Sequence, residues 1–590
     1  MGLTVHLLGS PRVDRSDGVA YQVRSRKSWA LLACLVLSER PPTRGGLAGL
    51  LYAEADDPLR ALRWGLAEIR RCLGVDVDGD PVRLRLPPGA VVDVDVLRHG
   101  SWATAVDLPG LGAELLDGLA VRGAPAFESW LLSERRRIAA AAEAILHEAA
   151  LGRLAAGDLV TARGLAVRAA AMNPLDENHQ ALVIRLYRLA GDNRAAREQY
   201  AAVTELFEKE LGVAPGIAVE AALREPRRQR DTVADDASLE AIVESGAAAV
   251  AAGSVETGVR SLRTAVRLAD RATSARWRLA ARLRLAEALI HSLRGMDEEG
   301  LATLHEADRI ARAAGDRAAA ARARAEIGYV DFLRARYDRA DRWLGDALDL
   351  AGGSPAITAR VTTYLGSVAS DRAAYPRATT HLDRAIRLAR EAGDARTEAY
   401  ASSMLGRAHL LTGELQPAAA RLDDAIRIAE RDHWLAFLPW PQALRGEVHL
   451  ASADPAAAAR ILRQAFARAC QIGDPCWEGM AARSLALVAE AAGDPGRAFD
   501  LLADARTRSN RLADPYVWLD AHILDAQCEL GRRHGHPDVR VWADALGRLA
   551  SRTGMREMTV RALRHSDGPG DHAAAAVLAC EIDNPLLRIR

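Results

Sequence analysis

The chain has 590 residues, too many for a single hydrophobic core, so several domains or a repeat array are required. Its 78 Lys and Arg balance 78 Asp and Glu, which excludes a polycation throughout and makes any nucleic-acid surface a local one. No run of about 18 uncharged apolar residues occurs, the start MGLTVHLLGSPRVDR has no basic leader, and Cys34, Cys72, Cys470, Cys476, Cys528 and Cys580 form no C-x-x-C pair. The expectation is a soluble, unexported, cytoplasmic protein with reduced, buried thiols and no membrane contact.

LTVHLLG (3–9) and VAYQV (19–23), separated by the turn formers Ser16, Asp17 and Gly18, predict a small antiparallel sheet. Ser25 then stands at the cap of a helix whose Trp29, Leu32, Ala33, Val36 and Leu37 follow the 3.6 period, ending before Pro41-Pro42. Thr43 opens a second helix, TRGGLAGLLY, and Pro58 a third, LRALRWGLAEIRRCL (59–73). On that third helix Leu59, Leu62, Leu66, Ile69 and Leu73 form a stripe for the core. Arg60, Arg63, Ala67, Arg70 and Arg71 lie on the opposite arc, flanked by Trp64 and one acid, Glu68. Past Gly74, VDVDGDPVRLRL predicts a hairpin about Asp78-Gly79.

Sheet, three helices and a terminal hairpin make a winged helix-turn-helix, whose third helix enters the major groove of double-stranded DNA. Arginine pairs with phosphate oxygens or takes guanine edges bidentately, so the candidate contacts are Arg60, Arg63, Trp64, Ala67, Arg70 and Arg71. Arg26 and Lys27 at the first helix and Arg83 and Arg85 in the hairpin are candidates for phosphate. Any one of them alone is more often just a solvated charge.

These segments are similar to the Streptomyces antibiotic regulatory proteins, activators with an OmpR-like winged helix followed by a bacterial transcriptional activator domain. The resemblance is carried by SRKSWALLACL (25–35), TRGGLAGLLYAEAD (43–56) and LRALRWGLAEIRRCLG (59–74). The second domain matches through FESWLLSERRRIAAAAEAILHEAALGRLAAGDL (127–159), AAAMNPLDENHQALVIRLYRLAGDNRAAREQYAAV (169–203) and FEKELGVAP (207–215). It implies a sequence-specific activator that binds direct repeats in promoter DNA as a homodimer or side-by-side protomers and recruits RNA polymerase holoenzyme. The sequence departs from the family at Gly45 and Gly46, where members carry charged residues, and at Gly65, where they carry a small residue other than glycine.

Further on, a small residue followed five positions later by Ala or Gly recurs at Gly157/Ala162, Gly191/Ala196, Gly253/Gly258, Gly295/Gly300, Ala335/Ala340, Ala373/Ala378, Gly413/Ala418, Ala453/Ala458 and Gly493/Ala498. The pattern resembles tetratricopeptide repeats, stacked helix pairs with a concave groove. Gly328, Gly366, Gly406 and Gly446 mark where paired helices touch, because a side chain there would hold them apart.

The expected fold is therefore mainly α: a winged helix (1–97), an activator domain (98–224), a charged linker (225–236), a repeat array (237–520) and a C-terminal helical cap (521–590). In HWLAFLPWP (433–441), Trp434, Phe437 and Trp440 beside His433 form a candidate surface for a protein or small-molecule ligand, with inter-repeat packing as the alternative. His409 and His449, at equivalent repeat positions, are a second candidate, yet too few ligands for a metal, and none is assigned. Neither lysine follows a glycine, so no P-loop exists; there is likewise no G-x-S-x-G elbow and no H-E-x-x-H. The reading is a DNA-binding activator without cofactor or catalytic activity, its array sensing a signal. The alternative is a repeat scaffold whose winged helix no longer reads DNA.

Overall fold

The computed structural model describes residues 2–15, 23, 25–38, 40–223, 236–251, 255–271, 274–293, 297–432, 434–512, 514–566, 568 and 570–587. These are mainly α-helical, forming a winged helix-turn-helix and a tetratricopeptide-type array. The chain divides into two compact units, Met1–Ile145 with Leu524–Arg590, and Leu146–Ile523. This division cuts across the blocks expected along the sequence. The turn at Ser16 to Gly18, the strand 19–22, the linker up to residue 235, Gly253, Gly295 and His433 lie outside the described residues.

In the first unit, β1 (Leu3–His6) pairs antiparallel with β2 (Arg12–Arg15), so a nearer strand than the expected one is its partner. After α1 (Arg26–Leu37), α2 (Arg44–Leu51) and α3 (Pro58–Leu73), strands β3 (Asp76–Asp78) and β4 (Arg83–Arg85) form the hairpin. The short β5 (Val91–Val92) then returns parallel to β1. Ser25 stands at the cap of α1 without a side-chain cap bond, whereas Thr43 and Asp57 do cap α2 and α3. Helix α4 (Asp93–His99) begins on a buried aspartate that accepts the Leu7 and Leu8 amides at 2.9 Å, fixing the helix to the end of β1. A short α5 (Trp102–Ala105) follows, and α6 (Pro125–Ala155) belongs to this unit through Ile145. The C-terminal helices belong here too: Arg552 donates to Glu143 at 3.0 Å and Arg40 pairs with Asp583 at 2.8 Å.

Free thiols occur at all six cysteines, but Cys470 and Cys580 are exposed and Cys476 is half-buried, against the expectation of burial. Helix periodicity places a residue on an apolar face without guaranteeing that another element covers it. No helix among the described residues is long and apolar enough to cross a membrane.

The second unit starts with α7 (Leu159–Met172), α8 (Glu177–Leu189), α9 (Asn193–Leu211) and α10 (Ile217–Leu223), and continues into the array. Among the described residues the recurring small residue sits in the turn inside its helix pair with positive φ: 82° at Gly413, 81° at Gly493, and 54°, 58° and 59° at Ala335, Ala373 and Ala453. A left-handed backbone there selects a residue with little or no Cβ hindrance. Within pairs, a Cβ on Gly328, Gly366, Gly406 or Gly446 would stand 2.5 to 2.7 Å from the Cγ of Leu344, Leu382, Leu422 or Leu462. Gly366→Ala is therefore expected to destabilise the array by about 1 to 3 kcal/mol through overpacking. Gly345→Ala, in the helix Tyr337–Leu350 with nothing within 4 Å of its Cβ, should be neutral or gain up to about 1 kcal/mol. Denaturant unfolding of the two variants checks the contrast, and equal midpoints would contradict it.

Ionic contacts unusual for their burial run through this unit. Arg339 pairs with Glu148 at 2.5 Å, and Arg334 with Asp514 at 2.6 Å. His147 lies 3.2 Å from Glu298 and 2.9 Å from His179. Burial holds the pKa of both His147 and His305 down to about 4. Their folded values lie below the ordinary histidine value of about 6.5, so as pH falls the unfolded chain takes up protons first. Their contribution to stability is complete above about pH 6.5 and drains as pH falls to about 4. Thermal melts at pH 7 and pH 4.5 should show a lower midpoint at the acid end; identical midpoints would contradict buried, neutral rings.

Candidate nucleic-acid interface

Helix α3 presents two unlike faces. Leu62, Leu66, Ile69 and Leu73 are buried, as the stripe requires, but Leu59 is half exposed. It lies in the first turn, about 50° from the centre of the stripe, where the core no longer reaches. On the outer arc Arg60, Arg63, Ala67 and Arg71 are exposed, and Trp64 is 71% exposed, a large apolar side chain left in solvent. Asp57 caps the helix through the Arg60 amide at 2.9 Å and lies 4.0 Å from the Arg63 guanidinium, both side chains more than half exposed. Such a loose pair leaves Arg63 able to exchange its partner for a phosphate or a base edge.

The remaining candidates are more committed than the sequence implies. Arg70 reaches the strand that follows its helix, donating to the Val77 carbonyl from Nε at 3.0 Å and Nη2 at 2.7 Å, so it fastens β3 to α3 rather than joining the outer arc. Lys27 places its ammonium 5.2 Å from the centre of the Tyr52 ring. Arg83 and Arg85 stand directly opposite Asp78 and Asp76 in the hairpin register, which balances the basic charge of the wing. Arg26 is exposed at the start of α1. The concentrated positive surface is thus narrower than expected, centred on Arg60, Arg63 and Arg71 around Trp64.

Three supports hold this face in place, none of them evident from spacing. Glu68, the lone acid of the helix, accepts from Ser28 Oγ at 2.6 Å and from the Ser25 amide at 3.3 Å, tying α3 to the start of α1. Arg44 anchors the hairpin loop through Gly79 O and Asp80 Oδ1, both at 2.9 Å, while the Val82 amide donates to Pro42 O at 2.8 Å. The loop runs from Gly79 to Val82, wider than the two-residue turn expected at Asp78-Gly79. Third, a Cβ on Gly65 would lie 2.5 Å from Tyr52 Oη and 3.0 Å from a Leu31 methyl. The glycine that departs from the family pattern is where α3 closes on α1 and on the tyrosine after α2. Burial, then the neighbouring Glu68 charge, push the Tyr52 phenol up to about 12, so it remains neutral in that contact.

The candidates in the array occupy different settings. Trp440 is buried and packs against Trp477 at 5.1 Å, and Phe437 is buried beneath Trp434 at 4.3 Å. Trp434, half-buried, carries Arg396 5.5 Å from its ring. His409 bonds Glu414, and His449 lies 3.8 Å from Asp454, in each case an acid five residues later in the turn inside the same pair. Each histidine thus serves its own turn.

Residues 93–225 match the family model of the bacterial transcriptional activator domain. No curated protein matches the chain. Among solved structures it is similar to a Rap protein complexed with competence and sporulation factor, at 11% identity and TM-score 0.44, over 59% of this chain and 98% of that one. It is also similar to Mycobacterium tuberculosis EmbR in complex with a low-affinity phosphopeptide, at 21% identity and TM-score 0.29, over 38% of this chain and 64% of that one. Yeast Tom70 is a third, at 12% identity and TM-score 0.31, over 72% of this chain and 94% of that one. The chain carries a bacterial transcriptional activator domain over residues 93–225, the second of the two domains on which its resemblance to the Streptomyces antibiotic regulatory proteins rests.

Proposed function

We propose that this chain is a sequence-specific DNA-binding transcriptional activator, acting without catalysis or a cofactor. In this reading α3 enters the major groove, with Arg60 and Arg63 facing base edges and Arg71 facing phosphate, while Arg26 and the hairpin flank the backbone. The activator domain contacts RNA polymerase holoenzyme, protomers sit side by side on promoter DNA in the cytoplasm, and the array receives the signal.

The observation that carries the reading is the outer arc of α3. Three exposed arginines around a tryptophan that is 71% exposed are set on a helix whose other face is locked to α1. A solvated face gains nothing from an exposed indole, whereas a docking face does. Of the three glycines that depart from the family pattern and would permit the scaffold alternative, Gly65 is accounted for by its packing against Tyr52. A promoter duplex on beads, offered the full chain and purified RNA polymerase holoenzyme, should retain more polymerase with the chain than without it. Equal retention would remove polymerase recruitment from the proposal.

A further inference from the structure

Asp514, Pro515 and Tyr516 lie between the helices Pro495–Ser509 and Val517–His534 and pack against the array. The buried Asp514 carboxylate accepts from Arg334 Nε at 2.6 Å, Arg334 Nη2 at 3.0 Å and Asn178 Nδ2 at 2.8 Å. Two residues on, the Tyr516 hydroxyl donates to Asp371 at 3.0 Å and accepts from Arg407 Nη1 at 2.6 Å. Its ring packs 5.3 Å from Phe332 and 6.3 Å from Trp440. Asp514-Pro515-Tyr516 thereby reaches residues at or just after the first helices of four successive repeat pairs, Arg317–Leu333, Pro355–Asp371, Ala395–Leu411 and Pro439–Ala451.

The site is built for recognition in more detail than a tether needs. Arg407 and Asp371 are wholly buried and pair with each other, and the Tyr516 hydroxyl completes that pair by bonding both. Around the segment three buried donors have no hydrogen-bond partner: Arg334 Nη1, Arg407 Nε and Trp440 Nε1. A residual cavity of about 40 Å³ beside Trp440, Trp477 and Tyr516 leaves space at the site. Burying a donor without a partner is unfavourable, so the segment in place does not use the site fully.

We propose that this is a peptide-recognition site, held in cis by Asp514-Pro515-Tyr516 and taken in trans by an extended segment of a partner protein. That segment presents a carboxylate, a phenol hydroxyl two residues on, and further acceptors for the three unmet donors. Exchange of one for the other is the signal the array reads. The inference concerns the second unit alone and does not depend on DNA binding.

The test uses the full chain and a fluorescein-labelled peptide, NRLADPYVW, the sequence of residues 510–518. The tethered segment competes at an effective concentration on the order of millimolar, so the peptide should bind the unaltered chain weakly. Asp514→Asn combined with Tyr516→Phe weakens the tethered competitor, and fluorescence anisotropy should then show binding about tenfold tighter or more. A control peptide with Asn and Phe at those two places should not bind. Binding of neither peptide to a variant that still melts cooperatively, or equal binding of both, would overturn the proposal and leave the segment a staple. Tyr516→Phe alone, a smaller change, gives the same decision should the double variant fail to fold. No DNA enters the assay, so its failure leaves the activator reading intact.

Discussion

Arg63→Ala is expected to cost about 1 to 3 kcal/mol on the cognate duplex and to relax preference at one base pair, the mark of a lost base-edge contact. Arg63 is the mid-face arginine, exposed and, among the described residues, approached by Asp57 at 4.0 Å. Arg71→Ala, in the last turn, should instead weaken cognate and scrambled duplexes about equally and lower the magnitude of the log K against log salt slope by about 1. Arg70→Ala belongs to neither class. Its guanidinium is spent on the Val77 carbonyl, so this variant should loosen the hairpin and show first in the melting curve. Titrations at several salt concentrations distinguish the three, and binding like the parent for Arg60, Arg63 and Arg71 variants alike would favour the scaffold reading.

Arg339→Met is expected to destabilise the second unit by about 3 to 5 kcal/mol, because it strands a buried carboxylate. Glu148 Oε2 accepts from Arg339 Nε at 2.7 Å. Burial pushes the Glu148 carboxyl up, and Arg339 opposes that shift. Replacing both partners, Arg339→Met with Glu148→Leu, should recover most of the loss, since an apolar pair avoids both desolvation costs. Chemical denaturation of the single and double variants decides; a single variant costing under about 1 kcal/mol would show the pair to be energetically idle.

That ion pair bears on modularity. Glu148 lies in the activator-domain match and Arg339 in the array, so the two are expected to unfold together rather than as beads on a linker. Cut after residue 224, the chain also loses Glu298 from His147 and Asp514 from Asn178. A fragment of residues 1–224, separable by sequence pattern, should melt well below the full chain or without a cooperative transition.

What was legible in the sequence is what repeats or caps. The positive-φ turn at Ala373 and the close approach at Gly366 are imposed by local helix-pair geometry, and such constraints write themselves at a fixed spacing. Thr43 announces its helix because a cap acts on amides within three residues. The candidate site was legible as an arc of α3 but not in its membership. Whether an arginine faces outward or folds back depends on which carbonyl lies within its reach, and Val77 arrives from a strand that follows the helix. Nor does any local pattern bring Asp514 to Arg334 across 180 residues, or the C-terminal helices to the winged helix. These depend on how the array curves and where the chain returns.

The central claim is that the chain reads DNA sequence with α3. Repeated selection of random duplexes by the full chain, with the Arg63→Ala variant in parallel, tests it most directly. The account predicts enrichment of one motif, arranged as a direct repeat for side-by-side protomers, bound with an affinity that falls as salt rises and degenerate at one base pair in the variant. Failure to enrich any motif at low salt, with a folded protein in hand, would contradict it.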